Sequence, residues 1–157
     1  MRAVSAPRFL IDRAIPDRRR VEKAAERFRL ELCFDACGVR AFVSPGYGIR
    51  LGGDRGVILG TLFDRHGPPE PIGEMKMDQQ KLISARGERA LLENYWGSYC
   101  SLLSDGTDFN VMRDPSGGLP AYHSGAAGSC VIGSDPEIIA ATGLWKPAVS
   151  WEDLAIH

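Results

Sequence analysis

The chain has 157 residues, the size of one domain, with 44% hydrophobic and 25% charged residues. Nineteen basic and twenty acidic residues leave a net charge of -1, which argues against a general nucleic-acid binder or a polybasic membrane binder. The longest stretch free of charge, Pro115 to Ser134, is broken by glycines, serines and two prolines and does not read as a membrane span. Asp12 and Asp17 interrupt the N-terminal region before any apolar signal core, so the expectation is a cytoplasmic protein with no membrane partner.

Taken in chain order, Phe9-Leu10-Ile11 predicts a first strand. Asp17 then stands as N-cap before a helical spacing of Val21, Ala24, Ala25, Phe28 and Leu32. This region is basic: residues 1–29 carry nine basic and four acidic side chains, which reads first as a solvated helix face. Strands are predicted at Val39 to Val43, Tyr47 to Leu51 and Gly56 to Phe63, the last being the most strongly apolar. Asp64 to Met77, rich in Pro and Gly, predicts a long loop. A second helix is expected from Glu88 to Tyr95, ended by Gly97.

Four short strands follow at Tyr99 to Leu103, Phe109 to Arg113, Leu119 to His123 and Ser129 to Gly133. Asp105-Gly106, Gly117-Gly118 and Gly125 supply turns between them. Ser134 to Glu137 has the spacing of a capping box, predicting a helix through Ile138, Ile139 and Ala141 that stops at Gly143. A second capping box, Ser150 to Asp153, announces a helix that the chain barely begins. Strand runs flanked by helices point to an α+β fold of mainly antiparallel sheets rather than alternating parallel units.

Chemistry-bearing residues are sparse. Cys33, Cys37, Cys100 and Cys130 lack zinc-ligand spacing, and His66, His123 and His157 are scattered, so no metal site is expected. All four cysteines read as reduced thiols. Cys100 and His123 would form a thiolate–base pair if they faced each other across a sheet, but both also suit ordinary sheet positions. No phosphate-binding loop is present, since Gly46, Gly48, Gly52 and Gly53 lack a following Lys-Ser/Thr.

The densest signal is Tyr95-Trp96-Gly97-Ser98-Tyr99, followed by the run from Arg113 through Asp114, Pro115, Ser116, Gly117, Gly118, Leu119, Pro120, Ala121 and Tyr122 to His123. Asp114 is placed to accept local backbone N–H groups in an Asx-type turn, and the glycines permit positive φ. Arg113 is expected to be partly buried and bonded near the turn, and Trp96 is expected to pack mainly into the core.

This constellation resembles the N-terminal glutamine amidotransferase domain of the asparagine synthetase family. The matching residues are Trp96, Gly97, Ser98 and Tyr99, then Arg113, Asp114, Gly117, Pro120 and Tyr122, and finally Ser134 and Asp135. A divergent branch, the asparagine synthetase-like macrolactam cyclases of lasso-peptide biosynthesis, is more similar still. Arg113-Asp114-Pro115-Ser116-Gly117, the Gly56 to Phe63 strand and Val149-Ser150-Trp151 with Leu154 carry that likeness, which covers roughly residues 39–157. It implies an Ntn-hydrolase-like αββα sandwich formed by residues 1–157 as a single amidotransferase-like domain.

The departures from the family matter as much. Its glutaminases use an N-terminal Cys freed by removal of the initiator Met. Here Arg2 stands in that place, and Met before Arg is not expected to be removed. The family's Asn-Gly-Glu is missing, and Gly133-Ser134-Asp135 stands after the Arg-Asp-Pro turn rather than before a mid-domain helix. The resemblance therefore implies no catalytic residue and no glutaminase activity. It also implies that ATP and Mg would enter only with a downstream synthetase domain, since no Ser-Gly-Gly-x-Asp-Ser loop occurs in these residues. The implied role is a scaffold for that synthetase domain or a contact for a precursor peptide. A fragment of a glutamine-hydrolysing asparagine synthetase and a standalone peptide-binding module are the alternatives.

Overall fold

The computed structural model describes residues 6–145 apart from Ala127. The elements run β1 (Phe9–Arg13), α1 (Arg18–Arg27), β2 (Glu31–Ala36), β3 (Val39–Val43), β4 (Gly48–Leu51) and β5 (Gly56–Asp64). They continue with α2 (Met77–Arg86), α3 (Glu88–Asn94), β6 (Tyr95–Ser104), β7 (Phe109–Arg113), β8 (Tyr122–Ala126), β9 (Ser129–Gly133) and α4 (Pro136–Ala141). The strands form two antiparallel sheets, one of order β2-β3-β1-β9-β8 and one of order β4-β5-β6-β7, so the class is α+β. Among the described residues no helix is long and apolar enough to cross a membrane.

The period-two alternation of the strands explains how these sheets stack. Phe9, Ile11, Val39, Ala41 and Val43 of the five-stranded sheet share one buried cluster with Val57, Leu59, Cys100 and Leu102 of the four-stranded sheet. The intervening positions point the other way. Leu10, Phe42 and Val131 meet Val21, Ala24 and Ala25 of α1 and Ile138 and Ile139 of α4. On the far side Ile49, Ile58, Leu62 and Tyr99 meet Ile83 of α2 and Ala90 and Leu91 of α3. Helices thus cover the outer face of each sheet, and the two inner faces form a common core.

Several sequence expectations are corrected. The helical spacing does not run to Leu32: α1 ends at Arg27, and Leu32 lies exposed in β2. Asp17 occupies the N-cap position without a side-chain cap bond and pairs with Arg20 instead. The expected Asp64–Met77 loop starts one residue late, since Asp64 closes β5, and it is followed by α2, which the sequence reading lacks altogether. β6 starts four residues earlier than expected and β8 three residues later. Asp135, not Ser134, caps α4: its carboxylate accepts the Glu137 N–H at 2.9 Å. The Ser134 hydroxyl instead accepts the Phe9 N–H at 2.9 Å, tying α4 to β1. The Ser150 to Asp153 capping box, Trp151 and Arg2 lie outside the described residues.

Candidate ligand cavity at the open end of the sandwich

β5 and β6 pair in a long register that sets Thr61 opposite Ser98 and Phe63 opposite Trp96. By alternation these four side chains lie on the same face as Leu59 and Cys100, the face that forms the inter-sheet core. The apolar packing stops at Leu59 and Cys100, and the next two rungs floor a cavity of about 750 Å³. Ala6 and Pro7, the approach to β1, line it, as do Asp114, Pro115, Ser116 and Gly118 from the turn after β7. Arg65, Leu92, Tyr95 and Tyr99 complete the lining.

The floor is aromatic. The Phe63 and Trp96 rings stack at 4.3 Å with an interplanar angle of 15°. Trp96 is 51% exposed, which corrects its expected burial in the core. Trp96→Ala should therefore lower unfolding free energy by only about 1 kcal/mol, the scale of one aromatic pair at a partly exposed site. Urea denaturation measures this, and a loss of about 3 kcal/mol would instead mark the ring as core.

The turn is organised by Asp114, which is buried. Its Oδ2 accepts the N–H groups of Tyr99 at 3.3 Å and Leu119 at 3.4 Å, and its Oδ1 accepts Gly118 N–H at 3.4 Å and the Ser116 hydroxyl. Its own N–H donates to the Tyr99 carbonyl at 2.9 Å, and its carbonyl accepts Gly117 N–H at 3.1 Å. Burial opposes the charge, but the Ser116 hydroxyl and the three N–H groups outweigh it and hold the pKa below its ordinary value. Both carboxylate oxygens are thus engaged by the turn. Gly117 sits at φ +68°, a conformation that suits glycine, and this lets the chain double back.

Of the motif residues, Trp96, Gly97, Asp114 and Pro115 line the cavity, and Gly117 and Gly118 shape its wall. Arg113 does not act as expected: it is exposed and makes no hydrogen bond or ion pair among the described residues. Arg113 lies opposite Cys100 at the end of the edge strand β7, where its side chain stays exposed, and the buried Asp114 next to it makes the turn's interactions instead. Pro120 and Tyr122 stand away from the cavity, and Tyr122 is 47% exposed at the start of β8. Thr61 and Phe63, from the Gly56 to Phe63 strand of the resemblance, also line the cavity, and Arg65 is a cavity residue outside that strand.

Cys100 and His123 belong to different sheets and make no pair. Burial, reinforced by Asp114, pushes the Cys100 thiol up to about 12, so it stays protonated near neutral pH and is a packing residue. Burial likewise pushes Tyr99 up to about 12, and its hydroxyl is buried with no hydrogen-bond partner among the described residues. Also among the described residues, no three or more His, Cys, Asp or Glu side chains group to hold a metal ion.

The arrangement suits binding. It offers an aromatic shelf, Thr61 and Ser98 hydroxyls without partners among the described residues, and the Arg65 guanidinium, which donates to the Leu92 carbonyl at 3.2 Å. Searches against protein-family models, curated proteins and solved structures found no match to this chain.

Proposed function

We propose that this chain is a glutaminase-inactive, amidotransferase-like domain of an asparagine synthetase-like, ATP-dependent amide-forming ligase, and that the ligase is a lasso-peptide cyclase. The observation that carries the reading is the Asp114 turn, which seats the Tyr95–Tyr99 segment at the open end of two stacked antiparallel sheets. Helix-covered antiparallel sheets with a cleft between their inner faces are also what an Ntn-hydrolase-like sandwich requires. In this reading the domain works in the cytoplasm as a scaffold beside its synthetase domain. The synthetase domain would hold ATP and Mg, activating a carboxylate of a precursor peptide that the peptide's own amine attacks. Such a reaction consumes no ammonia and has no use for a glutaminase.

Two measurements test it. The chain incubated with glutamine should release no glutamate above a protein-free blank, and turnover would favour the glutamine-hydrolysing alternative. The parent protein with its downstream residues should form AMP from ATP when given its peptide, and Asp114→Ala should abolish that activity. A parent lacking adenylation activity would overturn the ligase reading and favour the standalone peptide-binding module.

A further inference from the structure

The backbone at the start of β6 is unusual in its pairing. The Gly60 N–H donates to the Tyr47 carbonyl at 2.7 Å, and the Leu62 carbonyl accepts Ile72 N–H at 2.8 Å. The main-chain groups of Gly60 and Leu62 therefore face away from β6. In an antiparallel ladder their opposite residues, Tyr99 and Gly97, must then face away from β5. For Tyr99 this direction is satisfied, because Asp114 takes both its N–H and its carbonyl. β7 ends at Arg113, so among the described residues no strand continues alongside Gly97. Its N–H and carbonyl face the cavity as a strand edge with no partner among the described residues, although β6 is internal to its sheet further along. Gly97 has φ +145°, and a Cβ there would lie 2.1 Å from the Thr61 carbonyl oxygen, so the edge is built on close backbone approach.

Beside this edge stand the Phe63–Trp96 shelf and the Thr61 and Ser98 hydroxyls, neither of which has a partner among the described residues. Arg65 lies in the same lining with one N–H group used by Leu92, while both Asp114 carboxylate oxygens are engaged by the hydrogen bonds of its own turn. Arg65 is the cation in this lining, exposed and with N–H groups to spare. Backbone donors and acceptors in line, an apolar shelf to one side and a cation nearby match one chemistry, an extended peptide carrying an acidic side chain.

We propose that the Tyr95–Ser98 edge binds such a peptide as an added strand, with an apolar side chain on the Phe63–Trp96 shelf and a carboxylate paired to Arg65. The proposal deepens the reading above and rests on it for the choice of a peptide, rather than glutamine, as occupant.

The test uses the full 157-residue chain and an acetylated, amidated pentapeptide of sequence Val-Phe-Val-Leu-Glu, followed by NMR of labelled protein. Expected are saturable shifts centred on the Gly97 and Ser98 amides and the Trp96 indole. The same peptide N-methylated at every amide should bind at least about tenfold more weakly, because its strand donors are gone. Trp96→Ala and, as a second variant, Phe63→Leu should each weaken binding by about tenfold while leaving the remaining spectrum folded. Arg65→Gln should weaken the Glu peptide but not its Gln counterpart.

Equal binding of the methylated peptide, shifts centred elsewhere, or no saturation by about 1 mM would overturn the proposal. So would binding that appears only after residues 1–5 are removed, which would assign the edge to the chain's own N-terminus. The glutamate assay judges the glutaminase-inactive reading separately, so failure of the peptide to bind and failure of that reading are distinct results.

Discussion

Asp114→Ala is expected to lower unfolding free energy by about 3 kcal/mol, because it strips acceptors from several buried donors at once. The Tyr99 and Leu119 N–H groups are buried at this point, so water cannot fully replace the carboxylate. Leu119 belongs to the inter-sheet core, which couples the turn to the packing of both sheets. Asp114→Asn keeps the shape but places an NH2 group against a donor, so it should lose somewhat less. The pH dependence has a definite sign. The folded pKa lies below the ordinary 3.8, so the fold favours the ionised form. That stabilisation is fully present above the unfolded value and is lost as pH falls through it toward the folded pKa. Urea titrations between neutral pH and about pH 3 should therefore show an acid limb in the parent chain that is reduced in Asp114→Asn. Equal acid limbs, or a loss below about 1 kcal/mol for Asp114→Ala, would remove Asp114 as organiser of the turn.

What the sequence discloses here follows from how local each determinant is. Phe9 to Arg13, Val39 to Val43 and Ser129 to Gly133 are short apolar runs bounded by turn residues, and each is a strand. β2 is hidden because Leu32 continues the helical spacing of Val21, Ala25 and Phe28, while Arg29 at φ +56° ends the helix without a glycine to signal it. α2 is hidden for a different reason: Ile83 is its only buried residue, so it has no apolar stripe to read. Ser134 and Asp135 are both good caps, and only the position of Phe9, 125 residues away, decides that Ser134 is used elsewhere.

The candidate site divides in the same way. The Asx-type turn at Asp114 is local and legible. That Asp114 rather than Arg113 is the bonded, buried residue depends on where β7 ends against β6, with Arg113 opposite Cys100 and Asp114 bonded to the Tyr99 backbone. Phe63 and Thr61 join the site through the β5–β6 register, which sets them opposite Trp96 and Ser98. The free edge at Gly97 is further removed still, because it depends on where a different strand, β7, stops.

Arg40→Met should cost more than any single change at the cavity, about 3–5 kcal/mol, because it breaks a buried ion pair and strands one charge. Arg40 and Asp12 are opposite residues of β3 and β1, each about 3% exposed at the side chain, and the Arg40 Nε donates to Asp12 Oδ2 at 3.0 Å. The same guanidinium reaches Glu22 of α1 at 2.7 Å and the Arg18 carbonyl at 3.4 Å, so it fastens the helix to the sheet. Burial raises the Asp12 pKa, opposed by Arg40. A carboxyl with a raised folded pKa contributes stability below its unfolded value and loses it as pH rises through the folded one. With Arg40 gone the opposition vanishes, so Arg40→Met should regain stability as pH falls from 7 toward about 4, the reverse of the Asp114 trend. The double variant Asp12→Leu with Arg40→Met removes both charges and should recover most of the loss, since an apolar pair of similar volume can replace a buried ion pair. Denaturation of the two single variants and the double at pH 7 forms the cycle that decides it. Additive losses would show that Asp12 and Arg40 act independently, and a near-neutral double variant would show that the charge left unpaired causes the damage.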